Sequence, residues 1–317
     1  MTPDRRPPVD VLVLTYNDRE AAVDCLESVL RSEGASIRVT VVDNASEDDT
    51  VPEIRRRFSE CNVVVNDQNL GFAGGCNRGL ELALEQGAEF VLILNQDTRV
   101  APDLVARLKS FMLDLPAAAV AGARTRSFRP MPDGSPRLIY AGAWRRRLPL
   151  RQRIPGIEES DCGVPDLPVR TDYVWGHGMF LRCSALREVG LFDPAFFMYY
   201  EDLDLCRRME EAGHEIWCEP RALMWHDTPD GARAIESERW RWEQKIRSSD
   251  IFHAKYHGRA AKLMTALTVL GEAYELIRTG RIGAARDLTR AWAAALLRPA
   301  GPGPAGGARP PDPLGRG

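Results

Sequence analysis

The sequence predicts an α/β protein, a mainly parallel central sheet flanked by helices and followed by a C-terminal helical extension. In the first half, short apolar runs alternate with longer stretches of helical periodicity, the pattern of βαβ units. Val91-Leu92-Ile93-Leu94 is apolar without interruption, as a parallel strand covered on both faces requires. Beyond Ile235 the pattern is helical and amphipathic to about Leu297, rich in Arg and Ala.

Strands are expected near residues 9–14, 38–42, 62–65, 90–94 and 118–122. The first helix takes Asp18 as its N-cap, buries Ala22, Cys25, Leu26, Val29 and Leu30, and ends at Gly34. A later helix begins near Gly75 and stops at Gly87, whose glycine suits a left-handed C′ position; the next opens with Pro102 in its first turn. Residues 127–169 carry too much proline, glycine and arginine for regular core elements and read as an active-site flap or insertion. Strand-like segments return at 173–175 and 179–182, and a helix over 202–212 buries Leu205, Cys206 and Met209 and ends at Gly213. In the C-terminal helices Leu263, Leu267, Leu270, Tyr274 and Ile277 form a stripe whose expected use is packing against the first part of the chain, with peripheral membrane contact as the alternative. The tail, 299–317, is too rich in proline and glycine to bury a core and reads as disordered.

A chain of 317 residues with 44% hydrophobic content can bury a sizeable core, and its formal charge of −3 gives no electrostatic basis for nucleic-acid binding. Seven cysteines form no CxxC pair, so buried free thiols are expected rather than disulfides or a zinc site. No uncharged apolar run reaches the roughly 18 residues of a spanning helix. Residues 1–8 are polar and proline-rich, which predicts no signal peptide and a cytoplasmic protein.

Candidate chemistry gathers at the strand ends. They carry Thr15-Tyr16-Asn17, Asp43-Asn44-Ala45-Ser46, Asn69 through Asn77, and Asn95-Gln96-Asp97, and a parallel sheet brings such ends to one edge. A carboxylate such as Asp43 suits the base or ribose of a nucleotide, and the glycines from 71 to 75 let backbone N–H groups approach a ligand. Asp97 is placed to hold a metal. Phe196-Phe197-Met198-Tyr199-Tyr200 leads into Glu201-Asp202, carboxylates at a helix start whose aromatic surroundings would raise a pKa and suit a general base. Each feature also has a purely structural reading: Asp43-Asn44 and Gly74-Gly75 as turn residues, Asp97 as a cap, Glu201 and Asp202 as complements to a helix dipole. Asp204 reads as a solvated or salt-bridging position, and His226 ends an apolar run at an edge like that of Asp97.

In their order these segments resemble inverting family 2 glycosyltransferases of the GT-A fold, within them the bacterial rhamnosyltransferase-like branch. The resemblance runs from Val11-Leu12-Val13-Leu14-Thr15-Tyr16-Asn17 through Leu94-Asn95-Gln96-Asp97 and Gly190-Leu191-Phe192-Asp193 to Glu201-Asp202-Leu203-Asp204, about residues 9 to 228. It implies that Thr15, Asn17, Asp43, Asn69, Gly74, Asn95 and Gln96 bind the nucleotide-sugar, that Trp175, Gly176 and Glu201 border the acceptor, and that Asp202 is the catalytic base. It makes Asp97 the last acid of a DxD-like motif holding Mg2+ or Mn2+, with His226 completing the site, although Asn95 stands where that motif begins with Asp. The implied organisation is a catalytic domain over 1–230 (nucleotide half 9–125, insertion 127–169, acceptor half 170–230), a helical extension over 235–298 and the tail. The implied donor is a nucleoside-diphosphate sugar, with dTDP-rhamnose suggested by the branch, and the acceptor a glycan or lipid-linked intermediate of the cell envelope. A nucleotidyltransferase is disfavoured because Thr15-Tyr16-Asn17-Asp18-Arg19 is no glycine-rich basic loop, and a catalytically silent binding platform is the rival from another class.

Overall fold

A computed structural model describes residues 7–145, 152–153, 159–226 and 232–296. The 299–317 tail, and Arg146, Arg147 and Arg151 of the insertion, lie outside the described residues. β1 (Val9–Thr15) runs parallel to β2 (Ile37–Asp43) on one side and to β4 (Phe90–Asn95) on the other, and β3 (Asn62–Val65) extends the parallel set beyond β2. Past β4 the sheet becomes mixed. β11 (Gly178–Arg182) inserts antiparallel between β4 and β6 (Ala118–Ser127), and β12 (Glu215–His226) lies parallel to β6. β5 (Thr98–Val100) and β10 (Val169–Arg170) pair with β12, and β7 (Leu138–Tyr140) pairs with β6.

Both faces are covered, which is why Val11–Leu14 of β1 and Phe90–Leu94 of β4 are apolar without interruption. Val9, Val11 and Val13 of β1, with Phe90, Leu92 and Leu94 of β4, pack under α1 (Arg19–Leu30), α2 (Thr50–Arg57) and α4 (Leu104–Asp114). The alternate residues Leu12, Val91 and Ile93 face α3 (Gly71–Glu85), α5 (Cys183–Val189) and α6 (Glu201–Glu211). Gly79 lets α3 sit close on β1, since a Cβ there would lie 2.2 Å from Leu12 Cδ1. Five of the seven cysteines are buried and all are free; Cys61 is half-buried and Cys162 exposed.

Several expected boundaries move. α1 ends at Leu30, and Gly34 turns the loop beyond it with φ 75°. α3 begins at Gly71, so the glycine-rich segment is its first turn rather than a loop before it. Pro102 precedes α4, and 173–175 forms no strand. The largest change concerns 127–169, which supplies core after all. Leu138, Ile139, Tyr140 and Ala143 are buried, and the Tyr140 hydroxyl donates to the Tyr173 carbonyl at 2.9 Å. Ion pairs fold this segment down: Arg126 Nε lies 2.5 Å from the fully buried Asp161, with Arg124 also beside it at 3.7 Å. β8 (Trp144–Arg145) and β9 (Gln152–Arg153) pair only with each other.

α7 (Ala232–His257), a 3-10 turn (Gly258–Ala260), α8 (Ala261–Arg278) and α9 (Ile282–Leu296) form the helical extension around Ile246, Val269, Ala273, Leu276 and Leu288. α8 points Thr265, Val269, Ala273 and Leu276 inward, whereas Leu263, Leu270, Tyr274 and Ile277 are each more than half exposed. The stripe therefore does not pack against the first part of the chain. α7 makes that junction instead, placing Phe252 in the core beneath α3 and α6. Among the described residues no helix is long and apolar enough to cross a membrane.

Asp204 locks α6 to α7. It is fully buried and accepts from Arg208 Nε at 2.8 Å and the Tyr256 hydroxyl at 2.7 Å, with Lys255 Nζ at 2.8 Å. Arg208 in turn donates to the carbonyls of Val189 and Leu191 at 2.8 and 2.7 Å, so one carboxylate organises the approach to α6. Asp204→Ala is expected to lower stability by about 3 kcal/mol in urea unfolding, because it removes the carboxylate that Arg208 and the Tyr256 hydroxyl share, while Lys255 keeps Asp193 at 2.7 Å.

Candidate active site

The parallel register sets Thr15 beside Asp43 and Leu14 beside Asn95, so the ends of β1, β2 and β4 open on one edge. Asp43 is fully buried there and accepts three hydrogen bonds, from the Thr15 hydroxyl at 2.9 Å, the Ser46 hydroxyl at 2.5 Å and the Ser46 N–H at 2.8 Å. Ser46 Oγ in turn accepts from Asn17 N–H at 2.7 Å, and Asn17 Oδ1 accepts from Glu47 N–H at 2.9 Å. Gln96 bridges to the same loop, accepting from Tyr16 N–H and donating to Tyr16 O, each at 3.0 Å. Thr15, Asn17, Asp43 and Gln96 are thus brought together in a network that fixes the loop.

The glycine-rich turn works differently from a free amide cradle. Asn69 Oδ1 already accepts from Gly71 N–H at 2.8 Å, and Phe72 N–H donates to the Phe197 carbonyl at 2.7 Å. Gly71 sits at φ 71°, and a Cβ on it would lie 2.2 Å from Phe197 O. Gly75 packs against Leu14 and Asn44 in the same way, while Gly74 is half-buried next to Leu70.

Across the crevice the Asn95-Gln96-Asp97 turn meets the end of β12. Asp97 Oδ1 lies 3.3 Å from His226 Nε2, yet it is buried without hydrogen-bond geometry to any partner. A carboxylate oxygen and an imidazole nitrogen converging without bonding each other fit a shared divalent cation. Among the described residues no group of three or more His, Cys, Asp or Glu side chains forms a complete metal cage. His177, which the sequence reading passed over, stacks on His226 with ring centroids 4.3 Å apart and lies 3.3 Å from Thr125 Oγ1. Burial pushes its pKa well below the usual histidine value, with His226 adding to the effect, so the ring is neutral. Its only sequence signal was its place one residue before β11.

Asp202 opens α6. Its Oδ2 accepts from Gly176 N–H at 3.2 Å and its Oδ1 from Leu203 N–H at 2.7 Å. Burial raises its pKa to about 6 against the lowering effect of those donors. Trp175 leans on Tyr140 and donates to the Tyr173 hydroxyl at 3.2 Å, half-exposed beside Gly176. Glu201 is only 5% exposed, with Oε2 lacking a partner; burial, and then the charge of Asp202, raise its pKa well above the ordinary range. It is buried at the site rather than presented on an open surface.

The turn that delivers Asp202 is strained. Tyr199 and Tyr200 both have φ 69°, and the other non-glycine residues with positive φ among those described, Asn17, Asp18 and Ala45, lie at the ends of β1 and β2. Such conformations cost on the order of 1–3 kcal/mol each and persist only where surroundings enforce them. Here α7 does so: Ser248 donates to Met198 O at 2.7 Å, Trp240 meets Phe197 edge-on, and Phe252 packs on Tyr200. Asp227, which follows His226, lies outside the described residues.

The family model described as glycosyl transferase family 2 matches residues 10–190, and that described as glycosyl transferase family group 2 matches residues 159–297. The N-acetylglucosaminyl-diphospho-decaprenol L-rhamnosyltransferase of Mycobacterium tuberculosis is 27% identical over 222 residues, 64% of this chain and 70% of its own. The dTDP-rhamnosyl transferase RfbF of Shigella flexneri is 23% identical over 219 residues, 69% of either chain. Among solved structures, GalNAc-T7 with UDP, GalNAc and Mn2+ shares the fold with a TM-score of 0.57 at 13% identity, over 82% of this chain and 54% of that one.

Gly71→Ala is expected to destabilise the protein by about 2–3 kcal/mol in urea unfolding, since a side chain meets both a positive φ and a backbone oxygen there.

Proposed function

This chain belongs to glycosyl transferase family 2, and we propose that it transfers a sugar from a nucleoside-diphosphate sugar to a hydroxyl group of a glycan or lipid-linked acceptor, with inversion, in cell-envelope or polysaccharide synthesis. The names of the mycobacterial and Shigella relatives support an L-rhamnosyl donor carried on dTDP. The observation that carries the catalytic reading is Asp202: one carboxylate, fixed by two backbone N–H groups beside Trp175 and Gly176, with its pKa raised toward neutrality. Such a group accepts the proton of an acceptor hydroxyl as that oxygen attacks the anomeric carbon. The amides of Gly176 and Leu203 fix the orientation of the carboxylate, and Trp175 offers the acceptor an apolar border. Thr15, Asn17, Asp43, Asn69, Gly74, Asn95 and Gln96 line the donor pocket, where the network around Asp43 holds the strand-end loop in place.

Asp97 and His226 would hold Mg2+ or Mn2+, a role supported by the orphaned Asp97 oxygen and by the Mn2+ in the GalNAc-T7 structure. Held there, a divalent cation would supply positive charge beside the donor's diphosphate. With only these two protein ligands, such a cation would depend on the bound donor for its remaining contacts.

Asp202→Asn is expected to keep dTDP binding in a thermal-shift assay and to lower transfer by about 10²–10⁴-fold; retention of most of the rate refutes the base assignment. Because the base must be ionised, kcat/KM should rise with pH through about 6 and then level. A profile flat from pH 5 upward assigns proton removal elsewhere. At a hundred times its Kd a nucleotide stabilises by about 2.7 kcal/mol, and Asp97→Ala should remove the Mn2+-dependent part of that stabilisation. Unchanged metal dependence would dismiss the Asp97 and His226 pair, and failure of the wild type to bind any nucleotide would favour a silent platform.

A further inference from the structure

The helical extension carries a surface that neither its own core nor the catalytic half uses. Of the eight large hydrophobic side chains exposed among the described residues, six lie on α8 and α9: Leu263, Leu270, Tyr274, Ile277, Ile282 and Leu296. With half-buried Leu267, the α8 members are spaced four and three residues apart, which lines them along one side of the helix. At about 100° per residue, that side is centred about 120° round α8 from the inward face of Thr265, Val269, Ala273 and Leu276. α8 therefore has two apolar faces, one of them facing solvent.

The charge around this surface is net positive, with Lys262 paired to Asp250 of α7 at 3.2 Å. Residues 258–296 hold six cationic side chains, Arg259, Lys262, Arg278, Arg281, Arg286 and Arg290, all exposed, on a chain whose formal charge is −3. The acids of the same stretch, Glu272, Glu275 and Asp287, are half-buried and lie against Lys245, Arg278 and Arg290 respectively. We propose that the outer face of α8, with Ile282 at the start of α9, rests on an anionic lipid bilayer surface. Leucine, isoleucine and tyrosine side chains on one face with cations bracketing them are what an interfacial helix presents to acyl chains and headgroup phosphates. A second copy of this chain fits less well, because a two-fold interface on this face would set the same exposed cations of the two copies against each other. A bilayer needs no matching shape. α7, on which α8 packs, also braces the turn before Asp202.

None of these residues belongs to the catalytic reading, so the two stand or fall separately. The full chain is sedimented with vesicles of phosphatidylglycerol mixed with phosphatidylcholine and, separately, with vesicles of phosphatidylcholine alone. Binding is expected to the mixed vesicles, to weaken with salt, and to drop by about tenfold or more in a Leu263→Gln/Leu270→Gln/Ile277→Gln variant that keeps the wild-type melting temperature and nucleotide-induced thermal shift. Absence of wild-type binding to either vesicle overturns the proposal, as does equal binding by the variant. So does a dimer in sedimentation equilibrium that the variant abolishes while vesicle binding is absent, which assigns the face to a second copy.

Discussion

The hydrogen bond from Phe72 N–H to the Phe197 carbonyl is the contact on which the geometry of the crevice depends. It ties the first turn of α3 to the segment that delivers Asp202, and it forms because residue 71 has no side chain to keep the two backbones apart. One strand end supplies the floor of the crevice and a segment some 120 residues later supplies its carboxylate; this bond sets the distance between them. The dipole at the start of α3 is thereby spent partly on the protein's own backbone rather than left wholly for a ligand anion.

The helical extension is part of the same construction. Two consecutive tyrosines in the left-handed region would not hold that conformation alone, and Ser248, Trp240 and Phe252 of α7 press on the turn from outside. Asp204 fastens the other side of the junction through Arg208, Lys255 and Tyr256. Trp240, Ser248 and Phe252 thus help to position a carboxylate 38 to 50 residues earlier in the chain by holding the turn before it, and the boundary between the first part of the chain and the extension is one of sequence more than of mechanics.

Much of this was legible in the sequence because local signals and tertiary demands agreed. Apolar runs at 11–14 and 90–94 marked β1 and β4, Asp18 capped α1 as expected, with its side chain accepting from Ala21 N–H, and Gly87 and Gly213 stopped their helices with positive φ. The ordered polar strand ends pointed to one crevice, and the structure brings Thr15, Asn17, Asp43 and Gln96 into one network. What escaped was non-local. Strands β7 to β10 are two or three residues long, and part of their segment is folded by the Arg124 and Arg126 contacts to Asp161, which no periodicity reveals. The His177 stack joins β12 to the chain before β11, and the left-handed tyrosines are imposed by α7; neither leaves a pattern within a short window. The stripe on α8 was read correctly as apolar and helical, but periodicity cannot say which of two apolar faces turns inward.

The left-handed residues Asn17, Asp18, Ala45, Tyr199 and Tyr200 rim the crevice on both sides. At each of them the backbone would be more comfortable in some other shape, so local stability and local chemistry place opposite demands on these positions. Glycine at 45 or 199 would relax the chain, yet it would also surrender the rigidity with which the loop and the turn are presented. Consensus or stability-guided engineering of this protein will therefore find its easiest gains at the positions where accepting them is most harmful, and variants selected for heat resistance alone should drift toward a better-folded and poorer catalyst.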